Sequence, residues 1–277
     1  MARPLVSLLF LALVLAPARL LPQAPEAPLG ADLLVAPSRL VFEGHRRSGE
    51  LNLSNPGPVP VTYRISLIRM DMDEEGGFRE LPLAPDQREV TALFRFSPRE
   101  VTLGPQETQT VRVQVRKPPE LPPGEYRLHM AFRAVPPPEP VDAPSSRGLK
   151  GVSIRLRPLC GIAIPLILRH GDTRAQVAIG AAALDPATGR LEFRLERSGS
   201  QSVYGDLLVS LLRKSGPPSV LAMAAGIAVY AGNPLRRVRL DLPPGTVLPP
   251  GSRLRIAYAL PAQDGGGPLA ESTLTVP

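Results

Sequence analysis

Apolar residues in this chain return at every second position, in short runs cut apart by proline and glycine. From Leu33 onward a turn follows about every 8 to 12 residues, the spacing of an all-β sandwich. LLVAPSRLVFEG is the first run, and GELNLSNPGPVPVTYRISLIRM the second and third, split at Asn55-Pro56-Gly57-Pro58. LFRFSPREVTLGP, TQTVRVQVRK and GEYRLHMAFRAVPPP follow. Val111, Val113 and Val115 hold one parity, as do Tyr126, Leu128, Met130 and Phe132, so each run is expected to be a strand with one buried face.

The longest alternation is Gly151 to Gly171, GVSIRLRPLCGIAIPLILRHG. Val152, Ile154, Leu156, Cys160, Ile162, Ile164, Leu166 and Leu168 fall on one parity; Ser153, Arg155, Arg157, Gly161, Ala163 and Arg169 fall on the other. At ~3.3 Å per residue the run would span ~50 Å or more, several times a usual strand, so it has to outrun its own sheet. Pro158 lacks an N–H, which puts the N-terminal half at an edge or a free end, with Ile162 to Leu168 paired and buried. Two readings are open: a strand whose projecting half lends an apolar row to another protein, or two ordinary strands broken at Pro158 and Gly161.

These runs predict a first domain over residues 32–168. The 16-residue segment PPPEPVDAPSSRGLKG before the long strand is either a functional or mobile loop or a plain linker. Arg169-His170-Gly171-Asp172 reads as a hinge. Beyond it QVAIGAAAL, RLEFRLER, SVYGDLLVSLLR, GIAVY, RRVRLDL, RLRIAYALP and STLTVP predict a second, smaller β-sandwich over residues 173–277.

Composition narrows the picture. There is no Trp and only 4% aromatic residues, so the core has to be Val, Leu and Ile. The 35 Pro and 24 Gly predict many turns and few long helices. A single Cys, Cys160, excludes an intrachain disulfide and a cysteine-based zinc cluster, and its parity predicts a buried structural thiol. MARPLVSLLFLALVLAPA has a basic n-region at Arg3, an apolar stretch from Leu5 to Leu15 and a small-residue site at Ala16-Pro17-Ala18. That predicts a signal peptide and an unstructured N-terminus over residues 1–24, with cleavage between Ala18 and Ala31, and hence an exported protein; no other apolar run reaches membrane length. The formal charge of +7 comes from arginines scattered through strands, without a basic block interleaved with aromatics, which argues against nucleic acid as a partner.

Catalytic chemistry finds no residues to rest on. His45, His129 and His170 lie in separate segments without metal-ligand spacing, and His129 sits on the polar parity of its strand, where solvation is expected. No nucleophile elbow or phosphate loop occurs, and Gly265-Gly266-Gly267 is a turn with no helix after it. Asp71, Asp73, Glu74 and Glu75 lie in a Gly-containing loop and read as a solvated hairpin tip. The chain is therefore expected to be a non-enzyme without metal or cofactor.

Taken in order, APSRLVFEG, ELNLSNPGPVPVTYRI, FSPREVTLGPQETQTVRVQV, LPPGEYRLHMAFRAVPP, the long alternating strand and SVYGDLLV resemble the periplasmic chaperones of the chaperone-usher pilus pathway, the PapD-like family. The resemblance runs over nearly the whole mature length, and it lies in the order and spacing of the segments rather than in one motif. It implies two immunoglobulin-like sandwiches in a boomerang arrangement. It also implies a mechanism. Pilus subunits lack their last strand, and the chaperone fills the gap with alternating apolar residues of its own long strand before delivery to an outer-membrane usher.

Carried over by position, the donor row is Val152, Ile154, Leu156, Cys160, Ile162 and Ile164. Arg39 matches the first-strand arginine that holds the subunit's terminal carboxylate. The second cation is a lysine in the family; Pro165 stands there, and Arg155, Arg157 or Arg169 is left as its substitute. Arg169 is taken as the anchor beside Arg39, the alternative being a carboxylate held differently. Arg112, Glu125 and Asp264 match a network that fixes the angle between domains, and Ser97-Pro98 matches a cis bond. Implied partners are pilus subunits and the usher, together with self-association through the exposed strand. The competing reading is a secreted adhesive or structural binder, for which an aromatic platform would be expected; 5 Tyr and 7 Phe form no cluster in the sequence.

Overall fold

Where the alternation is strongest, strands form with one parity in the core. The computed structural model describes residues 33–136, 161–213 and 215–276. The signal-peptide expectation, the Pro-rich segment before the long strand, and Val152, Ile154, Leu156 and Cys160 lie outside the described residues.

The first half contains β1 (Leu34–Ala36), β2 (Leu40–Phe42), β3 (Ser48–Ser54), β4 (Val61–Met72), β5 (Phe78–Leu81), β6 (Phe94–Ser97), β7 (Glu100–Leu103), β8 (Thr108–Val115), β9 (Gly124–Val135) and β10 (Gly161–His170). One sheet runs β1-β3-β8-β6; the other runs β2-β10-β9-β4-β5, with β7 also on β4. Leu51, Leu53, Val111 and Val113 of the first sheet face Tyr63, Leu128, Met130, Phe132, Leu166 and Leu168 of the second. Each such side chain contributes about 1.5–3 kcal/mol by leaving water, which is why the core can do without tryptophan.

The second half contains β11 (Ala175–Asp185), β12 (Arg190–Gly199), β13 (Val203–Leu212), β14 (Ser219–Val229), β15 (Leu235–Asp241), β16 (Arg253–Ala259) and β17 (Pro268–Thr275). Sheets β11-β12-β15 and β14-β13-β16-β17 enclose Leu191, Leu195, Leu207, Val209, Leu254, Ile256 and Tyr258. The architecture is two all-β, immunoglobulin-like sandwiches.

Two runs that read as single strands each divide between sheets. LLVAPSRLVFEG breaks at the cis Ala36–Pro37 bond, so that β1 pairs β3 while β2 pairs β10. LFRFSPREVTLGP breaks at the cis Ser97–Pro98 bond, so that β6 pairs β8 while β7 pairs β4. The cause is proline: with no N–H to donate, it ends one ladder before the chain joins another. A short helix, α1 (Pro85–Ala92), was not legible in the strand pattern; Pro85 stands in its first turn, where the backbone N–H groups have no intrahelical acceptor to lose. The turn at Asn55 is held from inside. Its buried amide donates to the carbonyls of Val59, Leu103 and Gly104 at 2.8, 3.1 and 3.1 Å and accepts from the Gly57 N–H at 3.0 Å.

β10 decides the rest. It pairs antiparallel with β9 along its whole length, Gly161 opposite Arg133 to His170 opposite Gly124. On its other side β2 covers only Leu166, Ile167 and Leu168, in parallel. Pro165 sits one residue before that second ladder begins, where a missing N–H costs no bond to β2.

Candidate functional site

The open edge of β10 comes first. From Gly161 to Ile164 the strand has β9 on one side and, among the described residues, no strand on the other. Among the described residues the backbone groups on that side have no ladder partner. Ile164 is 4% exposed and Ile162 packs partly buried against the same cluster, so the edge continues the core outward. Of the six residues that the sequence assigned to strand donation two are thus placed: Ile162 and Ile164 line the core end of an edge with no partner strand among the described residues, and the other four lie outside them.

The opposite face of the same sheet meets the second sandwich. Arg39 precedes β2 and lies beside Pro165, because Leu40 pairs with Leu166. Its side chain is 18% exposed, ion-paired with Asp264 and stacked 3.7 Å above the Tyr204 ring. Arg169 donates to Glu125 at 3.3 Å, to Glu43 at 3.1 Å and to the Ser202 carbonyl at 3.1 Å. The Glu125 carboxylate, 2% exposed, accepts the Ser202 N–H at 2.9 Å and also the Ser202 hydroxyl. Both arginines expected to hold a partner's carboxylate are therefore already holding carboxylates of this chain.

The expected grouping of Arg112, Glu125 and Asp264 does not assemble. Arg112 lies on the solvent face of β8, in the other sheet, 78% exposed and paired at 3.0 Å with Glu50 across the strand pair. The parity that buries Val111 and Val113 turns Arg112 away from the second sandwich. Asp264 goes to Arg39 and Glu125 to Arg169 instead. Glu125 and Asp264 both lie at the contact between the sandwiches, each on a different arginine.

His129 is a further correction. It is 2% exposed, not solvated, because the face of β9 that reads as polar is covered by Phe78 of β5 and Tyr230 of the second sandwich. The three rings meet edge to face at 5.7–6.1 Å. Neither ring nitrogen has a hydrogen-bond partner, and desolvation, reinforced by the neighbouring Arg127 charge, lowers the His129 pKa to about 3. Arg127 stacks 3.7 Å above Tyr230 and donates to the Met70 carbonyl at 3.3 Å; burial lowers its pKa as well. A cavity of about 290 Å3 lies between Ser38, Pro165, His129, Tyr204, Tyr230 and Arg236.

The acidic loop is likewise not a free hairpin tip. Glu74 pairs with Arg237 at 3.1 Å, Glu75 with Arg239 at 2.7 Å, and Asn233 donates to the Met72 carbonyl at 2.7 Å. Gly76, at φ +87°, lets the Arg236 guanidinium lie against the loop; a Cβ there would collide with it. The β4–β5 turn thus straps the first sandwich to β15. Among the described residues no three of His, Cys, Asp and Glu converge as a metal site, and no helix is long and apolar enough to cross a membrane.

Comparison with known proteins gives a likeness of overall chain course. No family model and no curated protein matches. Among solved structures, the CupB2 chaperone of Pseudomonas aeruginosa is 14% identical, with 88% of this chain and 100% of that chain covered and a TM-score of 0.44. The CsuC–CsuE chaperone–tip adhesion subunit complex of Acinetobacter baumannii gives 13%, 89%, 98% and 0.44 in the same order. The YadV chaperone gives 14%, 88%, 100% and 0.43.

Two outcomes follow from the geometry. A histidine whose folded pKa lies near 3 stays neutral in the folded state, whereas the unfolded chain takes up its proton below about pH 6.5. Its contribution to stability is therefore full above that pH and falls as pH drops from 6.5 towards 3, by up to about 1.4 kcal/mol per pH unit. Urea unfolding between pH 7 and 4 is expected to show a shallower loss for His129→Phe than for wild type. The second outcome separates the two ion networks. Glu125→Ala removes the buried acceptor shared by Arg169 Nε, the Ser202 N–H and the Ser202 hydroxyl, leaving Arg169 only Glu43 and the Ser202 carbonyl, and is expected to cost about 3 kcal/mol, while Arg112→Ala, on an exposed pair, should stay within about 0.5 kcal/mol by the same measurement.

Proposed function

We propose that this chain is a periplasmic chaperone for pilus or surface-appendage subunits, which it holds by adding its own strand to their incomplete sandwich. The observation that carries the reading is the half-open β10: paired with β9 throughout, with β2 only from Leu166, and apolar on its core parity up to the open end. In the sequence the same parity continues back through Cys160, Leu156, Ile154 and Val152, which form the rest of the donor row.

The magnitudes say which part of such a contact matters. A backbone hydrogen bond contributes about 1 kcal/mol net, and burial of an Ile or Leu about 1.5–3 kcal/mol. The apolar row therefore carries affinity, and the ladder sets register and tolerates different subunit sequences. Arg39, with Arg169 beside the linker, is the anchor for the subunit's terminal carboxylate. That carboxylate competes with Asp264 for the Arg39 guanidinium, since the two are paired in the free chain. Release to an outer-membrane usher completes the cycle, without nucleotide or metal.

Co-expression with a candidate subunit, followed by purification from the periplasm, tests this. Wild type should hold the subunit one to one; Ile154→Asp/Leu156→Asp should lose it, and Arg39→Ala should weaken it at least tenfold. Retention by the aspartate pair at wild-type level would rule out strand donation by this segment.

A further inference from the structure

The strand edge and the cleft leave one cationic hollow unused. At the linker between the sandwiches, a cavity of about 410 Å3 is lined by Glu43, His45, Arg47, Lys117, His170 and Gln201, among others. Its volume lies within the range of small-ligand sites. It draws on both domains: Arg47 precedes β3, Lys117 follows β8, His170 ends β10 and Gln201 precedes β13.

The charges in it are not balanced locally. Its two carboxylates have partners of their own: Glu43 takes Arg169 at 3.1 Å, and Asp172 is held by both ends of Arg174, at 2.9 and 3.1 Å. Lys117 has only long contacts, to the Gly44 carbonyl at 3.5 Å and the Arg169 carbonyl at 3.4 Å. Arg47 makes no side-chain hydrogen bond or ion pair among the described residues. Burial lowers the Lys117 pKa, and the one charge that also acts on it is the like charge of Arg47. Both cations thus line the hollow, and neither has a carboxylate partner among the described residues.

We propose that this hollow is an oxyanion site, taking a phosphate group borne on a small ligand, with Lys117 and Arg47 as its cations. A tetrahedral oxyanion between them turns a repulsive pair into two charge-assisted hydrogen-bonded pairs. Because Gln201 comes from the second sandwich, a bound ligand also touches both domains. The site does not depend on strand donation. Arg169 of the cleft also lines the hollow, but Glu125, Glu43 and the Ser202 carbonyl take up its guanidinium, which leaves Lys117 and Arg47 as the site's cations.

Isothermal titration of the full chain with inorganic phosphate tests the proposal, alongside flotation with vesicles of phosphatidylglycerol or of phosphatidylcholine alone. One phosphate per chain is expected, weakened about tenfold by Lys117→Gln and by Arg47→Gln and abolished in the double variant. Arg46→Gln removes the same charge one residue away and should leave binding unchanged. Flotation with the anionic vesicles that phosphate competes off would identify the ligand as a lipid headgroup; no flotation, with phosphate still bound, would make it a soluble phosphate compound. Absence of phosphate binding, or equal weakening by all three substitutions, would overturn the site.

Discussion

The unequal pairing of β10 is the constraint on which the rest depends. A strand laddered on both sides is an interior element, and one laddered on neither would not hold its register. β10 is fixed by ten residues of β9 on one side and only three of β2 on the other. The full ladder holds the alternate residues Ile164, Leu166 and Leu168 in the core. The partial one leaves an apolar edge that a guest strand can continue.

The same strand positions the cleft. Its core parity builds the sandwich, and its other parity, Pro165, Ile167 and Arg169, faces the second domain. Ile167 packs with Met72, Ala228 and Tyr230, and Arg169 gathers Glu125, Glu43 and Ser202. Arg39 with Asp264 and the Glu74–Arg237 strap lie around that apolar patch. The exposed pairs contribute little each, so the buried parts of the junction carry most of the coupling between domains. A junction held in this way presents the β10 edge and the Arg39 guanidinium in one fixed relation.

Much of this was legible in the sequence, because alternation reports burial directly. Val111 and Val113, Leu128, Met130 and Phe132, and Ile164, Leu166 and Leu168 of the long strand lie in the core on the expected parity. What alternation does not carry is strand order. Arg112 and Glu125 are both polar positions on strands, and only the order of the sheets sends one to solvent and the other into the junction. His129 failed for a related reason: a polar parity means an outward face of one sandwich, and here that face is covered by Tyr230 of the next. The acidic turn at Glu74 and Glu75 reads as solvated until β15 brings Arg237 and Arg239 to it. The divided runs at Pro37 and Pro98 did carry a signal, the proline itself.

Amide hydrogen exchange along β10, in the chain alone and in complex with a subunit, tests the central claim most directly. The account predicts that between Gly161 and Ile164 the amides turned away from β9 exchange quickly in the free chain. Those of Leu166 to Leu168 stay protected by β9 and β2, and the fast amides become protected when the subunit binds. Equal protection along the whole strand in the free chain, or a bound subunit that leaves those amides exchanging as before, would contradict it.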